Sequence, residues 1–260
     1  MSDSDQAAPP ECWAAAMGGC GSKISREHVV SKSLFDSTKV QVQGLSWCKN
    51  EPKTIGIQAM TAKILCREHN NALSPLDSAA GDAFDAFRQN AKRNGEIHKR
   101  SILTLLQEKP FTIDAKLLER WLLKTLLNLT FESRYLIGTS GTEKGIPPLD
   151  LVEICYGRRN FPGAAGMYVA ANPGMEIRTD ETLTFCPLFK EEDERVLGGF
   201  FTFQGVRLAL SLMPEGMPYP LSDLPALEKS WHNANLLRPL EAINIQLTPL
   251  IVQTVIKLNW

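Results

Sequence analysis

Apolar residues recur at helical spacing in two stretches of the chain. Ala79, Ala80, Ala83, Phe84 and Phe87 follow Ser74-Pro75-Leu76-Asp77. That tetrapeptide supplies a serine cap, a proline suited to the first helical position and an acid three residues after the cap, and Asn94-Gly95 offers a stop. Leu117, Leu118, Trp121, Leu122, Thr125, Leu126 and Leu129 make a wider face of period 3.6, which predicts a core helix. Val40–Trp47 and Thr54–Cys66 read as strands around a turn at Asn50-Glu51-Pro52. Beyond about residue 145 the pattern is mostly β. Thr182–Phe189, Gly199–Phe203, Val206–Leu212 and Ile243–Leu247 read as strands, with Gln204-Gly205 as a tight hairpin turn, Met213–Pro225 as loop and Leu250–Trp260 placed to close the sheet.

These elements predict an α+β fold. Residues 1–10, polar and ending in Pro9-Pro10, read as a disordered tail. Residues 11–95, dense at first in Cys, Gly, His and Asn, read as a small module. Residues 96–260 read as a helical and then β-rich region whose role is target selection, dimerisation into a homodimer, or regulation. No run of eighteen apolar residues occurs and the first ten residues lack the basic and apolar character of a secretory signal, so a cytoplasmic protein with no membrane partner is expected. In that compartment the six cysteines are metal ligands or buried thiols rather than a disulfide framework.

The net charge of −1 carries no sign of a polyanion partner, but its distribution does. Residues 11–100 hold 13 Lys/Arg against 9 Asp/Glu, and residues 101–260 hold 15 against 18. The first part is the better electrostatic match to nucleic acid.

The same part holds the candidate chemistry. Cys12 and Cys20 form one pair, and Cys66 and His69 form a C-x-x-H pair far downstream. Two separated pairs of thiolate and imidazole ligands suit tetrahedral zinc, which pins together loops too small to have a core. The second pair has ordinary zinc spacing, whereas seven residues separate Cys12 from Cys20, with Gly18-Gly19 and Gly21 permitting a tight turn. The alternative is that Cys12, Cys20 and Cys66 are merely buried apolar side chains. Cys48 is a rival ligand better explained as a buried thiol, and Cys155 and Cys186 read as packing residues. His98 and His232 have no partner at ligand spacing.

Between the pairs lies Arg26-Glu27-His28-Val29-Val30, and Asn70-Asn71 follows His69. Cys-Gly, then Arg-Glu-His-Val-Val, then Ile-Leu-Cys-Arg-Glu-His-Asn-Asn resembles the zinc-stabilised HNH endonuclease motif over residues 12–77. The resemblance implies a ββα-metal module in which a hairpin and a helix grip a catalytic divalent cation such as Mg2+, beside a structural Zn2+ on Cys12, Cys20, Cys66 and His69. By position, His28 is the general base, Glu27 an acidic metal ligand and Asn70 the helix residue that completes the cation site. The residue types suit phosphodiester hydrolysis: an imidazole titrates near neutral pH, and hard oxygens hold a cation against the charge developing on phosphate. Lys23, Arg26, Lys32, Lys63 and Arg67 are available to phosphates, Arg26, Lys32 and Arg67 foremost. The implied substrate is DNA, with RNA second, in restriction or antiviral defence.

The sequence departs from the motif at one point. The asparagine that usually orients the hairpin and its histidine falls near Thr61, and the long insert from Asp36 to Ile57 makes Asn50 an alternative. Asp77 is either a further ligand, if one helix runs through from Asn70, or part of a capping box, which Pro75 favours. A zinc module that binds nucleic acid without cutting it, and a purely architectural zinc site in a partner-binding protein, are the rival expectations.

Overall fold

A computed structural model describes residues 11–45, 48, 51–95, 110–170, 182–218, 220–223, 229–232, 234–238, 242–245 and 254–260. Helices and sheets are both present, as an α+β fold requires. Two strands distant in sequence, β1 (Ile24–His28) and β4 (Thr61–Cys66), pair antiparallel, and α1 (Arg67–Ala72) leaves the end of β4 directly. Leu73 interrupts the helix, and α2 (Ser74–Gly95) follows. The helix expected over 74–95 is therefore present.

The run Thr54–Cys66 is not one strand. It divides into β3 (Lys53–Gly56), a 3-10 turn at Ile57–Ala59, and β4. The break is needed because its two halves pair in different sheets. β3 pairs with β2 (Lys39–Gln43), and β2 runs parallel to β8 (Thr182–Lys190). This adds the insert to the edge of a large sheet completed by β9 (Arg195–Phe203), β10 (Val206–Ser211), β7 (Gly166–Ala170) and β11 (Leu236–Leu237) in that spatial order, with β6 (Leu136–Ile137) alongside β9. Gln204 and Gly205, both at positive φ (51° and 76°), close the hairpin between β9 and β10 as expected.

The expected core helix is α3 (Ala115–Thr130), capped by Asp114, whose side chain accepts from the Leu117 N–H at 2.9 Å. It is buried on nearly all sides. Trp121 packs edge-on against Phe84 of α2 (6.0 Å) and Phe201 of β9 (5.3 Å), tying helix layer to sheet. One apolar cluster runs from Cys12 through α2 and α3 to Leu258, so the core is continuous across residue 95. Leu250–Trp260 does not extend the large sheet. Its described part, β13 (Thr254–Asn259), forms a separate three-stranded sheet between β12 (Ala242–Ile245) and β5 (Phe111–Asp114), parallel to the latter. Residues 1–10, Trp47, Asn50 and His98 lie outside the described residues.

Candidate metal centre and the adjoining charged site

Cys66 ends β4 and caps α1, accepting from the His69 N–H at 3.4 Å, so strand end and first helical turn present their side chains to one point. The distant pair is brought there by local folding. Trp13 N–H donates to Ile64 O at 3.0 Å, which lays the Cys12 segment against β4. A 3-10 turn at Ala15–Met17 and two glycines at φ 72°, Gly18 and Gly19, then fold back the seven intervening residues and return Cys20 to the site.

The result is four ligand atoms within 4.8 Å of one another. The sulfurs of Cys12, Cys20 and Cys66 each lie 3.4 Å from Nδ1 of His69. Zinc–sulfur and zinc–nitrogen bonds of ~2.3 and ~2.0–2.1 Å at tetrahedral angles would separate S from N by ~3.5 Å. The four side chains can therefore hold a metal ion, and their spacing is compatible with structural zinc. Burial pushes the Cys12 and Cys20 thiols up and the His69 imidazole down. A bound cation would reverse the effect on the thiols. The Tyr156 hydroxyl donates to His69 O at 3.0 Å, so the residue that follows α4 (Leu149–Cys155) braces the cluster. Cys48 is 4% exposed and outside the cluster, Cys155 is buried with its thiol raised to about 12, and Cys186 is partly buried against a second apolar cluster. All three were expected to be packing thiols.

Glu27 and His28 end β1. The β1–β4 register shifts between Ser25 and Glu27, a bulge that re-aims the strand end. Glu27 is 5% exposed, the nearby Asn70 amide favours its charged form, and Asn70 Nδ2 donates to Ser25 Oγ at 3.0 Å. Asn70 and Glu27 are thus brought together. His28 lies opposite Thr61, and its Nε2 is buried with no hydrogen-bond partner among the described residues. Burial lowers the His28 imidazole, Lys32 and Lys124 add to the effect and Asp77 opposes it, so the ring favours the neutral form. Arg26 and Lys32 are exposed near this end of the ladder, whereas Arg67 is exposed at the cluster end, where its backbone N–H donates to Lys23 O at 2.9 Å.

Two features of this site were not anticipated. Asp77 does not close a capping box. Its carboxylate receives the Lys124 ammonium at 2.6 and 2.8 Å and the Ser31 hydroxyl. Lys124, in the middle of α3 with its side chain 1% exposed, also reaches Glu27 Oε1 at 2.5 Å. Burial pushes the Glu27 carboxyl up while Lys124 draws it down. Burial likewise works against the Lys124 charge, but the two carboxylates prevail and hold its pKa above the ordinary value.

Trp121, Lys124 and Asn128 share one face of α3, and all three address the segment Glu27–Ser31. Trp121 Nε1 donates to Ser31 Oγ at 2.7 Å, and Asn128 Nδ2 lies 3.4 Å from both His28 O and Val29 O. Asn128 Oδ1 in turn accepts from Trp13 Nε1 at 3.0 Å. The only sequence trace of this face is a lysine and an asparagine at positions where α3 is otherwise apolar. A cleft of about 740 Å3 opens beside the hairpin, lined among others by Val29, Thr61, Ala62, Asn128, Arg134 and Tyr135.

No described helix is long and apolar enough to cross a membrane. Compared with protein-family models, with curated proteins and with solved structures, the chain finds no match.

Proposed function

We propose that this chain is a metal-dependent endonuclease of the HNH kind acting on DNA, with RNA as the second candidate. The observation that carries the reading is a two-stranded β1–β4 ladder that ends on Cys66 of the Cys12–Cys20–Cys66–His69 cluster at one side and on Glu27 and His28 at the other, with Asn70 of α1 reaching back to Ser25. In this reading the cluster binds zinc structurally, since four protein ligands fill a tetrahedron and leave no position for substrate.

The donor set at the other end fits a hard cation. Glu27 and Asp77 set two carboxyl groups against the single ammonium of Lys124. Glu27 and Asn70 would hold Mg2+ or a related ion, which when bound supplies positive charge against the phosphate and lowers the pKa of water. The chain's own residues do the rest. His28, neutral near pH 7, accepts a proton from the attacking water at Nε2, the atom that has no other partner. Asn128 steadies the backbone at His28 and Val29, a task the motif usually gives to an asparagine of the hairpin and for which the Thr61 hydroxyl makes no hydrogen bond among the described residues. Arg26, Lys32 and Arg67 contact backbone phosphates. A place in restriction or antiviral defence follows from the family resemblance.

A second reading is favoured by Lys124. An ammonium 2.5 Å from Glu27 already supplies a cation where the metal is proposed, which suits a zinc module that binds nucleic acid without cutting it. Incubating plasmid with the purified chain and magnesium, manganese or nickel, with and without a chelator, separates the two. Chelator-sensitive cleavage supports the nuclease, and a salt-dependent mobility shift without cleavage supports the binding module.

A further inference from the structure

A small pocket of about 180 Å3 lies away from the hairpin, at the first turns of α3. Its cations come from three separate segments: Lys116 and Arg120 from α3, Arg159 from the loop after α4, and Arg238 from the residue after β11. Phe161 and Trp260 complete the rim, and Trp260 is 37% exposed. Glu119 is the one acid in the lining, and it is already engaged: it accepts from Met167 N–H at 2.8 Å and lies 3.8 Å from Arg238 Nη2.

We propose that this pocket binds a phosphomonoester group. Four cationic side chains against one acidic side chain leave a side-chain charge of +3 in a space too small for a whole drug-sized ligand, for which pockets run ~300–1,000 Å3. Guanidinium forks match phosphate oxygens in pairs. The arrangement is also prepared in advance. Arg238 Nη1 is tied to the carbonyls of Gly163 and Ala165, and a side chain at Gly157 would come within 2.6 Å of Arg120 Nη1. The half-buried Arg120 guanidinium has no hydrogen-bond or ion-pair partner among the described residues, whereas Arg159 keeps only a loose contact to Glu153 at 3.5 Å. Trp260 offers a face on which a base attached to the phosphate can stack. The chemistry is shared by a free mononucleotide and by the phosphorylated end of a strand. The pocket stands independently of the nuclease reading.

Calorimetric titration of the full chain in a low-salt, phosphate-free buffer tests the proposal. The probes are inorganic phosphate, adenosine monophosphate, adenosine, and one single-stranded oligonucleotide with and without a 5′-phosphate. Saturable binding of phosphate and the monophosphate but not of adenosine is expected. A preference for the 5′-phosphorylated oligonucleotide identifies a strand end as the source, and indifference to it identifies a free nucleotide. Arg120→Met and the exposed Lys116→Met should each weaken binding ~10- to 100-fold, the value of a charge-assisted hydrogen bond. Arg158→Met removes the same charge from a neighbouring exposed position outside the lining, and should change affinity by less than about 2-fold. Failure of every phosphate probe to saturate, or equal weakening by Arg158→Met, overturns the proposal.

Discussion

Lys124 reaches from the middle of α3 to within 2.5 Å of Glu27 at the end of β1, with the two side chains 1% and 7% exposed. Asp77 of α2 receives the same ammonium at 2.6 Å. One buried cation therefore joins the first strand of the hairpin, the helix that follows it and the core helix of the remaining chain. Breaking a buried pair by removing one partner typically costs ~3–5 kcal/mol, because the charge left behind has no compensation.

Lys124→Met should accordingly lower the melting temperature by roughly 6–20 °C, at ~2–4 °C per kcal/mol for a chain of this size. Glu27→Gln should cost less, since Lys124 keeps Asp77. The double variant should recover part of the Lys124→Met loss, and thermal melts of the cycle give the coupling. Additive losses would mean that the two side chains do not act as a pair.

The lowered His28 pKa fixes the sign of a pH effect. The unfolded chain takes up a proton near the ordinary value of 6.5, and the folded chain resists doing so. As pH falls through 6.5 toward the lower folded-state value the unfolded state binds more protons, so the stability present above 6.5 is progressively lost. His28→Asn should melt with a shallower acid dependence than the parent between pH 7 and 5. An unchanged slope would place the acid sensitivity elsewhere.

Zinc bound at the Cys12, Cys20, Cys66 and His69 cluster is folding energy as well as binding energy. Elemental analysis should find one zinc per chain. Cys66→Ser should lose it and melt at lower temperature or fail to fold, whereas Cys48→Ser, outside the cluster, should retain it. A folded parent without zinc would contradict the assignment.

Much of this was legible in the sequence, for reasons that can be named. The ligand set stood out because two separated pairs of thiolate and imidazole suit tetrahedral zinc, and α3 because its apolar face repeats along the helix. β7 was missed because all five of its residues are buried and the run shows no alternation. Lys124 was missed because a single lysine in Leu122-Leu123-Lys124-Thr125-Leu126 looks like an exposed position until tertiary pairing brings two carboxylates to it. The division near residue 95 followed a change in composition, but β2 leaves the hairpin region to pair with β8.

That pairing changes what a fragment can do. Residues 11–95 alone would lack β8 beside β2, Trp121 beside Phe84 and the ammonium between Glu27 and Asp77. The expected outcome is a fragment that does not fold cooperatively even with zinc present, as read from its circular dichroism melt. A sharp transition would show that the hairpin and its metal suffice.

The most direct test of the nuclease reading is the single-turnover cleavage rate of His28→Ala beside the parent, under the metal that gives the parent its highest activity. Loss of general-base catalysis predicts a rate lower by ~10² to 10⁴, with zinc content retained. A variant that cleaves as fast as the parent would contradict the account, whatever the cysteines bind.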